Sequence, residues 1–441
     1  MYGIQKIKID FIFRECKTYV YLRVGSNPQT FQFMKNIIHF LTFISVSIII
    51  GCNSPDKNKY LIPSEFEDQE YIWLSWMESG WLNGEPLYLS TLEAAKEIHP
   101  YVKVKIVYGP QLNYTKTQLY TRIFDVLLKE KVDTSRVELF FYEKPMGAIQ
   151  DVAPVFVRNG KGELSVVDFK NNVGHPLSGV FDSSAAKAMN LPIIRSELFS
   201  EGGAWQTNGK GTMLLVEAVE LDRNKKLSKE QIEKEYKRTL GVTNFIWLKK
   251  GCKEEEWQKL ENGIFGIGSG GHADEFCRFV NASTVLLAQV NEEDTVNNEI
   301  AKESYRRMEE NYQILKQSSM QDGKPINIIR LPAGPLLTSK AVYKDLNEYE
   351  QSWFENVTTD SVEYYLATGY MNFVIANKVI VAAKFWKEGL PLKFKTTDAM
   401  AKSILEKAFP GRKVVQIDCM PLHHEGAGLH CYSRNQPKGK L

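Results

Sequence analysis

The stretch VKVKIVYGPQLNYTKTQLYTRIFDVLLKEKVDTSRVELFFY, residues 102–142, carries the pattern that decides the fold class. Val102–Tyr108 and Val137–Tyr142 are runs of β-branched and aromatic residues with partial alternation, which is typical of strands. Between them, Thr117–Lys131 has the apolar spacing of one helix face. The residues of that face are Leu119, Ile123, Val126 and Leu127. A strand, a helix and a second strand in this order predict an α/β unit.

The same alternation continues toward the C-terminus. Further strands are predicted at Met213–Val219 and Val285–Val290, and a hairpin at Phe373–Ala383 that turns near Asn377-Lys378. Further helices are predicted at Glu303–Leu315 and Asp398–Phe409. Ser228 and Gln231 have the spacing of a capping box, and Gly241 is placed to end the helix that they begin. Several strand–helix–strand units in one piece predict an α/β protein.

Composition narrows the classes of function. The 441 residues include 55 Lys and Arg against 53 Asp and Glu, for a net charge of +2. Such a balance gives no large basic field and argues against nucleic acid as the main partner. Six cysteines in a chain of this length do not form a disulfide scaffold. Because no linker-like segment divides the chain after Tyr60, we expect one domain over residues 61–441.

The N-terminal region is predicted to be a targeting segment. Residues 37–51 form an apolar run, shorter than the roughly 20 residues of a transmembrane helix. A short positive start before it and a small residue after it are typical of a secretory signal peptide. The end at Cys52 resembles a bacterial lipoprotein box. The predicted segments are an upstream extension (1–33) before an initiator at Met34, a lipoprotein-type signal peptide (34–51), and a polar tether (52–60) that begins at lipidated Cys52. The alternative is an N-terminal membrane anchor or a buried strand.

Two local patterns suggest cofactors and are set aside. His423, His424, His430 and Cys431 form a cluster, but their spacing does not match the ligand patterns of zinc sites. Gly266–Gly271 matches G-x-G-x-x-G, yet a dinucleotide fingerprint needs a following helix and an acidic residue about 20 positions further on. We therefore predict neither a metal nor a dinucleotide.

The glycines of Gly266–Gly271 lead directly into His272 and Asp274. We interpret them as residues that let the backbone approach closely and so orient these two side chains. If the segment is extended, both side chains lie on one face. A histidine and a carboxylate together suit acid–base work or cation binding. The alternative is a surface pair in a loop.

Cys431 follows two glycines near the C-terminus. A cysteine nucleophile needs a depressed pKa and access, whereas the alternative is a buried structural cysteine. Cys277 and Cys419 lie in apolar runs and fit that alternative, while Cys252, next to two lysines, is a weak rival to Cys431.

Two acidic residues complete the candidate set. Asp151 precedes a predicted strand, and Glu201 precedes two glycines in a flexible turn. Taken singly, each is more often a turn residue than a functional one.

In order, these motifs resemble the agmatine deiminase and Porphyromonas-type peptidyl-arginine deiminase family, within the guanidine-modifying superfamily. The resemblance spans residues 60–437. The matching segments are Tyr71–Trp76, Gln150–Val157, Glu201–Gly203, Gly271–Phe279, Met371–Asn377, Phe409–Arg412 and Gly426–Cys431. The resemblance implies a five-bladed α/β propeller of pseudo-repeated ββαβ units with one catalytic domain.

It also implies hydrolysis of a guanidinium group to a ureido group and ammonia. Cys431 would be the nucleophile and His272 the general acid–base, while Asp151 and Asp274 would hold the guanidinium, with Glu201 and Asn372 also at the substrate. This cycle needs no metal, nucleotide or redox cofactor. With the predicted anchor, the protein would lie in the bacterial cell envelope, attached to the membrane by lipid.

Departures from the family pattern leave the substrate open. Gln150 stands where the family usually has Arg, and residues 168–172 contain neither the Trp of the agmatine enzymes nor the carboxylate-binding arginines of the peptidyl-arginine enzyme. Agmatine and an arginine-containing peptide both remain candidates, and the sequence does not indicate the oligomeric state. The alternatives are an inactive guanidinium- or peptide-binding protein of the same fold and an amidinotransferase.

Overall fold

The computed structural model describes residues 5–13, 16–24, 60–80, 82, 84–111, 113–170 and 180–440. The chain divides into two compact units, Met1–Lys57 and Asn58–Leu441. The predicted signal peptide and Cys52 lie outside the described residues, so both stay predictions. Within the described part of the chain, no helix has the length and apolar character needed to cross a membrane.

The first unit contains an antiparallel hairpin. Strand β1 (Gln5–Phe13) pairs with β2 (Cys16–Val24), so that Gln5 is opposite Val24 and Phe13 is opposite Cys16. The region predicted only as an upstream extension therefore includes a regular element.

The second unit has twenty strands among its described residues. In chain order they are β3 Gln69–Ser75, β4 Lys103–Tyr108, β5 Val137–Phe141, β6 Val155–Arg158, β7 Leu164–Lys170, β8 Ile193–Phe199, β9 Trp205–Thr207, β10 Thr212–Val216, β11 Asn244–Leu248, β12 Gln258–Lys259, β13 Phe265–Gly266, β14 Cys277–Asn281, β15 Thr284–Gln289, β16 Asn327–Pro332, β17 Thr338–Val342, β18 Ser361–Tyr365, β19 Val374–Ile375, β20 Val379–Lys384, β21 Lys413–Asp418 and β22 Ser433–Pro437. They form six sheets.

Five of these sheets share one pairing pattern, in which an antiparallel pair is followed by a parallel neighbour. They are β6-β7-β8, β9-β10-β11, β14-β15-β16, β19-β20-β21 and β22-β3-β4-β5. In the last of them, the C-terminal strand β22 pairs with β3, the first strand of the second unit, and Arg434 on β22 lies opposite Trp73 on β3. The sixth sheet, β12-β13-β18-β17, differs from the other five, because it joins two antiparallel pairs through one parallel pairing. The predicted α/β class is confirmed.

The second unit also has ten α-helices in its described part. They are α1 Tyr88–Ile98, α2 Lys116–Lys129, α3 Phe181–Ala188, α4 Glu217–Arg223, α5 Lys229–Leu240, α6 Ala273–Phe276, α7 Glu299–Gln317, α8 Glu348–Gln351, α9 Leu392–Ala408 and α10 Met420–His424. Short 3₁₀ turns occupy Thr134–Arg136, Lys253–Glu255, Glu292–Thr295 and Tyr343–Asp345. At α5, Ser228 and Gln231 form the predicted capping box and Gly241 ends the helix in a left-handed conformation (φ 71°).

One strand prediction extends too far. The predicted strand Met213–Val219 ends at Val216, where helix α4 begins. The run Met213–Val219 is apolar except for Glu217, so its composition conceals the change from strand to helix.

The central strands of the five sheets contribute to a single core. Each supplies a side chain with no exposed surface: Ile106 on β4, Val167 on β7, Leu214 on β10, Leu287 on β15 and Val381 on β20. All five belong to one contiguous group of packed hydrophobic residues. A shared core of this kind fixes the loops between the sheets relative to one another.

Candidate active site

Cys431 lies in the connection between α10 and β22. Asn372 organises this connection, because its Oδ1 accepts hydrogen bonds from the backbone N–H groups of His430 (2.6 Å) and Cys431 (3.3 Å). Its Nδ2 lies 3.2 Å from Cys431 Sγ. A Cβ added to Gly428 would lie 2.4 Å from Asn372 Oδ1. The glycine therefore permits the close approach that aligns the thiol.

The thiol of Cys431 is buried among carboxylates. Its Sγ lies 3.7 Å from Asp274 Oδ2 and 3.5 Å from Glu275 Oε1. Burial, followed by the negative charges of Asp274, Glu275 and Asp151, raises the pKa of the Cys431 thiol well above its usual value, and the backbone N–H of Gly428 only partly opposes this. The thiol is therefore neutral among these protein groups, and a cation placed beside it would favour the thiolate.

A glycine turn, and not an extended strand, brings the side chains of His272 and Asp274 to the same side of the chain. Gly270 and Gly271 have φ values of 79° and 95°, and His272 is the N-cap of the short helix α6. The condition of an extended segment, under which the two side chains would share a face by alternation, is therefore not met. Both side chains still reach one space, since a Cβ added to Gly203 would lie 2.8 Å from His272 Nδ1 and 3.0 Å from both Asp274 oxygens.

His272 is held between two acids. Its Nε2 lies 2.6 Å from Glu201 Oε2, and its Nδ1 lies 3.7 Å from Asp151 Oδ1. Burial would lower the pKa of His272, but the carboxylates of Asp151 and Glu201 outweigh it and raise that pKa to about 9. His272 is therefore an imidazolium at neutral pH.

Glu201 is engaged on both oxygens, by His272 and by Arg223 Nε at 2.8 Å. Although burial raises its pKa, the bonds and charges of His272 and Arg223 outweigh burial and lower the pKa of Glu201 to about 2. Glu201 therefore remains a carboxylate and fixes the ring of His272.

The backbone of Gly203 links Asp151 and Asp274. Its N–H donates to Asp151 Oδ1 at 2.8 Å, and its carbonyl accepts from the N–H of Asp274 at 3.1 Å. Burial, together with the charges of Glu201 and Asp274, raises the pKa of Asp151 to about 6 against the opposing charge of His272. Asp151 is therefore mostly ionised at neutral pH but takes up a proton under mildly acidic conditions.

Two buried carboxylate oxygens at the thiol have no partner in the structure. They are Asp274 Oδ1 and Glu275 Oε2. The second oxygen of Asp274 lies 2.7 Å from His430 Nδ1, while Glu275 Oε1 accepts from Asn372 Nδ2 at 2.6 Å. An unpartnered buried acceptor is costly, and a donor-rich cation would satisfy it.

The six predicted site residues of the catalytic domain thus surround one space. Asp151, Glu201 and His272 also line a cavity of about 840 Å³ whose wall includes Trp257 and Lys250. Reasoning from the sequence missed Glu275 and His430, although each is adjacent to a predicted residue. It also missed Arg223 and Glu65, for which no local motif gives a signal.

The remaining cysteine and histidine candidates lie elsewhere. Cys252, Cys277 and Cys419 are buried free thiols, as expected for the last two. The electropositive setting proposed for Cys252 is wrong, because burial and then the nearby Glu254 and Glu255 raise its pKa well above the usual value.

The three histidines do not converge as zinc ligands. His423 is buried with both ring nitrogens unpartnered, His424 contacts Tyr364, and His430 bonds to carboxylates. Within the described residues, Asp274, Glu275 and Cys431 bring potential ligand atoms within 4.8 Å of one another. In this group, the oxygens next to the thiol are Asp274 Oδ2 and Glu275 Oε1.

Comparison with known proteins identifies the family of the chain. The chain matches the model of the Porphyromonas-type peptidyl-arginine deiminase family over residues 61–437, and it belongs to that family. The agmatine deiminase of Ectopseudomonas mendocina is 26% identical over 402 residues, covering 87% of this chain and 97% of the relative.

Solved structures show the same fold. The agmatine deiminase of Enterococcus faecalis has a TM-score of 0.68 at 20% identity, covering 88% of this chain and 98% of that one. For the agmatine deiminase of C. jejuni the TM-score is 0.61 at 22% identity, over 88% and 99% of the two chains. These likenesses support the α/β architecture described above.

Proposed function

We propose that this protein hydrolyses a guanidinium group to a ureido group and ammonia through a covalent intermediate on Cys431. The observation that carries the proposal is the position of the Cys431 thiol, 3.7 Å from Asp274 Oδ2, with Asp274 and Asp151 joined through Gly203. A planar cation bound to these carboxylates would present its central carbon to sulfur.

Substrate binding would give the unpartnered oxygen of Asp274 a donor and would favour the thiolate form of Cys431. A guanidinium carries N–H donors in a plane and pairs with carboxylates through charge-assisted hydrogen bonds. It would partner the orphaned Oδ1 of Asp274. Its charge would also offset the acids that keep the Cys431 thiol protonated. The substrate thus helps to activate its own nucleophile.

The chemical steps follow from the residues around the bound cation. As the cation binds, the thiol loses its proton to solvent, and the thiolate attacks the guanidinium carbon, forming a C–S bond and a neutral tetrahedral adduct. The imidazolium of His272 gives its proton to the departing nitrogen, so that the C–N bond breaks and ammonia leaves a thiouronium cation. The neutral ring then takes a proton from water as its oxygen attacks the thiouronium carbon, which restores the imidazolium. The C–S bond of this second adduct breaks, its hydroxyl proton returns to sulfur, and the neutral ureido product leaves.

The residues around His272 and Cys431 serve these steps. Glu201 and Arg223 hold His272 in orientation and charge. Asn372 orients the thiol and bonds to Glu275. With Gln150 where the family usually has Arg, Asp151 accepts from the N–H of Gly203, and the backbone N–H of Gln150 donates to the carbonyl of Cys431 at 2.8 Å.

Agmatine and arginine-containing peptides are the substrates to compare. The family is named for peptidyl-arginine deiminases, and similar proteins are agmatine deiminases. The wide cavity above His272 can hold more than a guanidinium head group. We therefore propose a small-molecule or peptide substrate whose guanidino group enters from this cavity.

A substrate panel tests the proposal. Purified protein is given agmatine, free arginine, and peptides with internal or C-terminal arginine, and ammonia and ureido product are measured. We expect equal amounts of both products from at least one compound, and loss of turnover in Cys431→Ala. Cys419→Ala, which removes another buried thiol, serves as the matched control and should keep activity. Folded protein that binds these compounds without turnover would indicate the inactive binding protein, whereas transfer to an added amine without ammonia would indicate an amidinotransferase.

We also propose that the five sheets with a common pairing pattern are the blades of an α/β propeller. Their shared strand order and common core support this arrangement. The pairing of β22 with β3 would close the ring.

The envelope location is a separate proposal, supported by the sequence of residues 34–52. Expression of the full chain in bacteria should place the protein in the membrane fraction, and Cys52→Ala should release it. Retention of the variant in membranes would favour an uncleaved segment.

A further inference from the structure

The imidazole of His430 lies between two carboxylates and has no exposed surface. Its Nδ1 is 2.7 Å from Asp274 Oδ2, and its Nε2 is 2.9 Å from Glu65 Oε1. An ionised carboxylate accepts hydrogen bonds and cannot donate them, so the ring needs a proton on each nitrogen to satisfy both partners. His430 is therefore suited to be a buried imidazolium next to the nucleophile.

Arg278 fixes Glu65, the carboxylate on the side of His430 away from Cys431. One of its Nη atoms contacts Glu65 Oε2, and the other donates to the carbonyl of Phe373 at 2.6 Å. Burial raises the pKa of Glu65, but His430 and Arg278 outweigh burial and hold that pKa well below its usual range. Glu65 therefore stays anionic and keeps a charge partner for the ring of His430.

Asp274, the other partner of His430, faces the reaction space. The charged and titratable groups around Asp274 are His430, His272, Asp151, Glu255, Glu275 and Cys431, while Arg278 and Arg434 act on the Glu65 end. The bond to His430 engages Oδ2 of Asp274, while the buried Oδ1 has no partner.

We infer that His430, backed by Glu65, is a positioning residue that fixes Asp274 through Oδ2 and leaves Oδ1 for the guanidinium. The inference rests on the proposed function and adds a residue to it. It assigns His430 a selective effect on cation binding, since a neutral ligand of the same shape gains little from the charge of Asp274.

Two substitutions separate the two bonds of the ring. In His430→Asn, the amide nitrogen stands as far from Cα as Nδ1 and can still donate to Asp274. In His430→Gln, the amide nitrogen stands as far from Cα as Nε2 and can donate only to Glu65. Glu65→Gln is a third variant, which keeps an acceptor for His430 but removes the negative charge.

The readout is the ratio of affinities for a guanidinium and its ureido counterpart. Dissociation constants are measured in a Cys431→Ser background, where the covalent step is blocked. The probes are agmatine and its ureido product, or the arginine peptide and its citrulline form if the peptide is the substrate. We expect His430→Gln to lower the preference for the guanidinium by at least about tenfold, the effect of losing one charged hydrogen bond. His430→Asn should lower it less, and Glu65→Gln should shift it in the same direction.

Equal weakening of both ligands, or a His430→Gln ratio equal to that of the parent, would overturn the inference. If His430→Gln does not fold, Glu65→Gln decides by the same ratio. If the parent binds neither ligand, the proposed function fails as well, and this result differs from normal binding with an unchanged ratio.

Discussion

Cys431 is surrounded by acids, in contrast to the cationic surroundings that usually activate a cysteine. Its resting thiol is neutral because burial and three carboxylates disfavour the thiolate. His272 has the opposite character, since Asp151 and Glu201 keep it protonated. An acid-form histidine and a protonated thiol are a suitable resting state for a reaction that begins only when a cation arrives.

The charge of Asp274 should suppress the reactivity of the free thiol while supporting turnover. Asp274→Asn removes the anion 3.7 Å from Sγ, which lowers the pKa of Cys431 and should speed its alkylation by iodoacetamide at pH 7 about tenfold. Turnover should fall by about 100-fold or more, because a guanidinium ligand is lost. Alkylation is followed by mass spectrometry of the Cys431 peptide. A slower reaction than in the parent would contradict the electrostatic account.

Glu201 should set the alkaline limit of turnover. Removing its charge in Glu201→Gln lowers the pKa of His272 from about 9, so the proton needed by the leaving ammonia is lost at lower pH. The alkaline limb of the kcat profile should move down by about one pH unit or more. Glu299→Gln, which removes an exposed carboxylate beside Lys302, is the control and should leave the limb unchanged. An unchanged limb in Glu201→Gln would argue against His272 as the acid.

Asp151 should govern the acidic limit of substrate binding. Its pKa of about 6 means that the carboxylate takes up a proton as the pH falls through that value. We expect KM to rise below about pH 6, by about tenfold for each pH unit once the group is mostly protonated. Initial rates at several substrate concentrations from pH 4.5 to 8 measure this. A KM that stays constant down to pH 5 would exclude Asp151 from guanidinium binding.

At the scale of elements, short connections between the sheets bring the side chains together. The elements with clear periodicity were predicted well, as the capping box at α5 shows. Two features were not: β10 gives way to α4 inside the largely apolar run Met213–Val219, and Gly271 turns the chain into α6 before Asp274. Local sequence cannot reveal such turns, because tertiary contacts select among conformations that glycine makes available.

Gly203 provides a test of this packing. In Gly203→Ala the new methyl group would lie 2.8 Å from His272 Nδ1 and 3.0 Å from the Asp274 oxygens. We expect kcat/KM to fall about 100-fold or more, while the free energy of unfolding changes by less than about 3 kcal/mol. Gly160→Ala, with no atom within 4 Å of the new Cβ, should match the parent in both measurements. Parental activity in Gly203→Ala would show that this space is not used by substrate.

At the scale of the whole molecule, the site depends on contacts between distant parts of the chain. Glu65 and His430 are 365 positions apart, and β22 pairs with β3. Family resemblance could identify Cys431, His272 and Asp274, but no local pattern predicts the partners Glu65 and Arg223. The net charge of +2 is equally uninformative about the site, whose buried carboxylates create a local field of the opposite sign.

The central claim is that the guanidinium carbon becomes bonded to Cys431 during turnover. Rapid acid quenching of protein mixed with its best substrate, followed by mass spectrometry, tests this claim most directly. We predict a mass increase equal to the substrate minus ammonia, located on the Cys431 peptide and absent from Cys431→Ser. Turnover that continues in Cys431→Ser, or product formed by the parent with no such adduct at any quench time, would contradict the account.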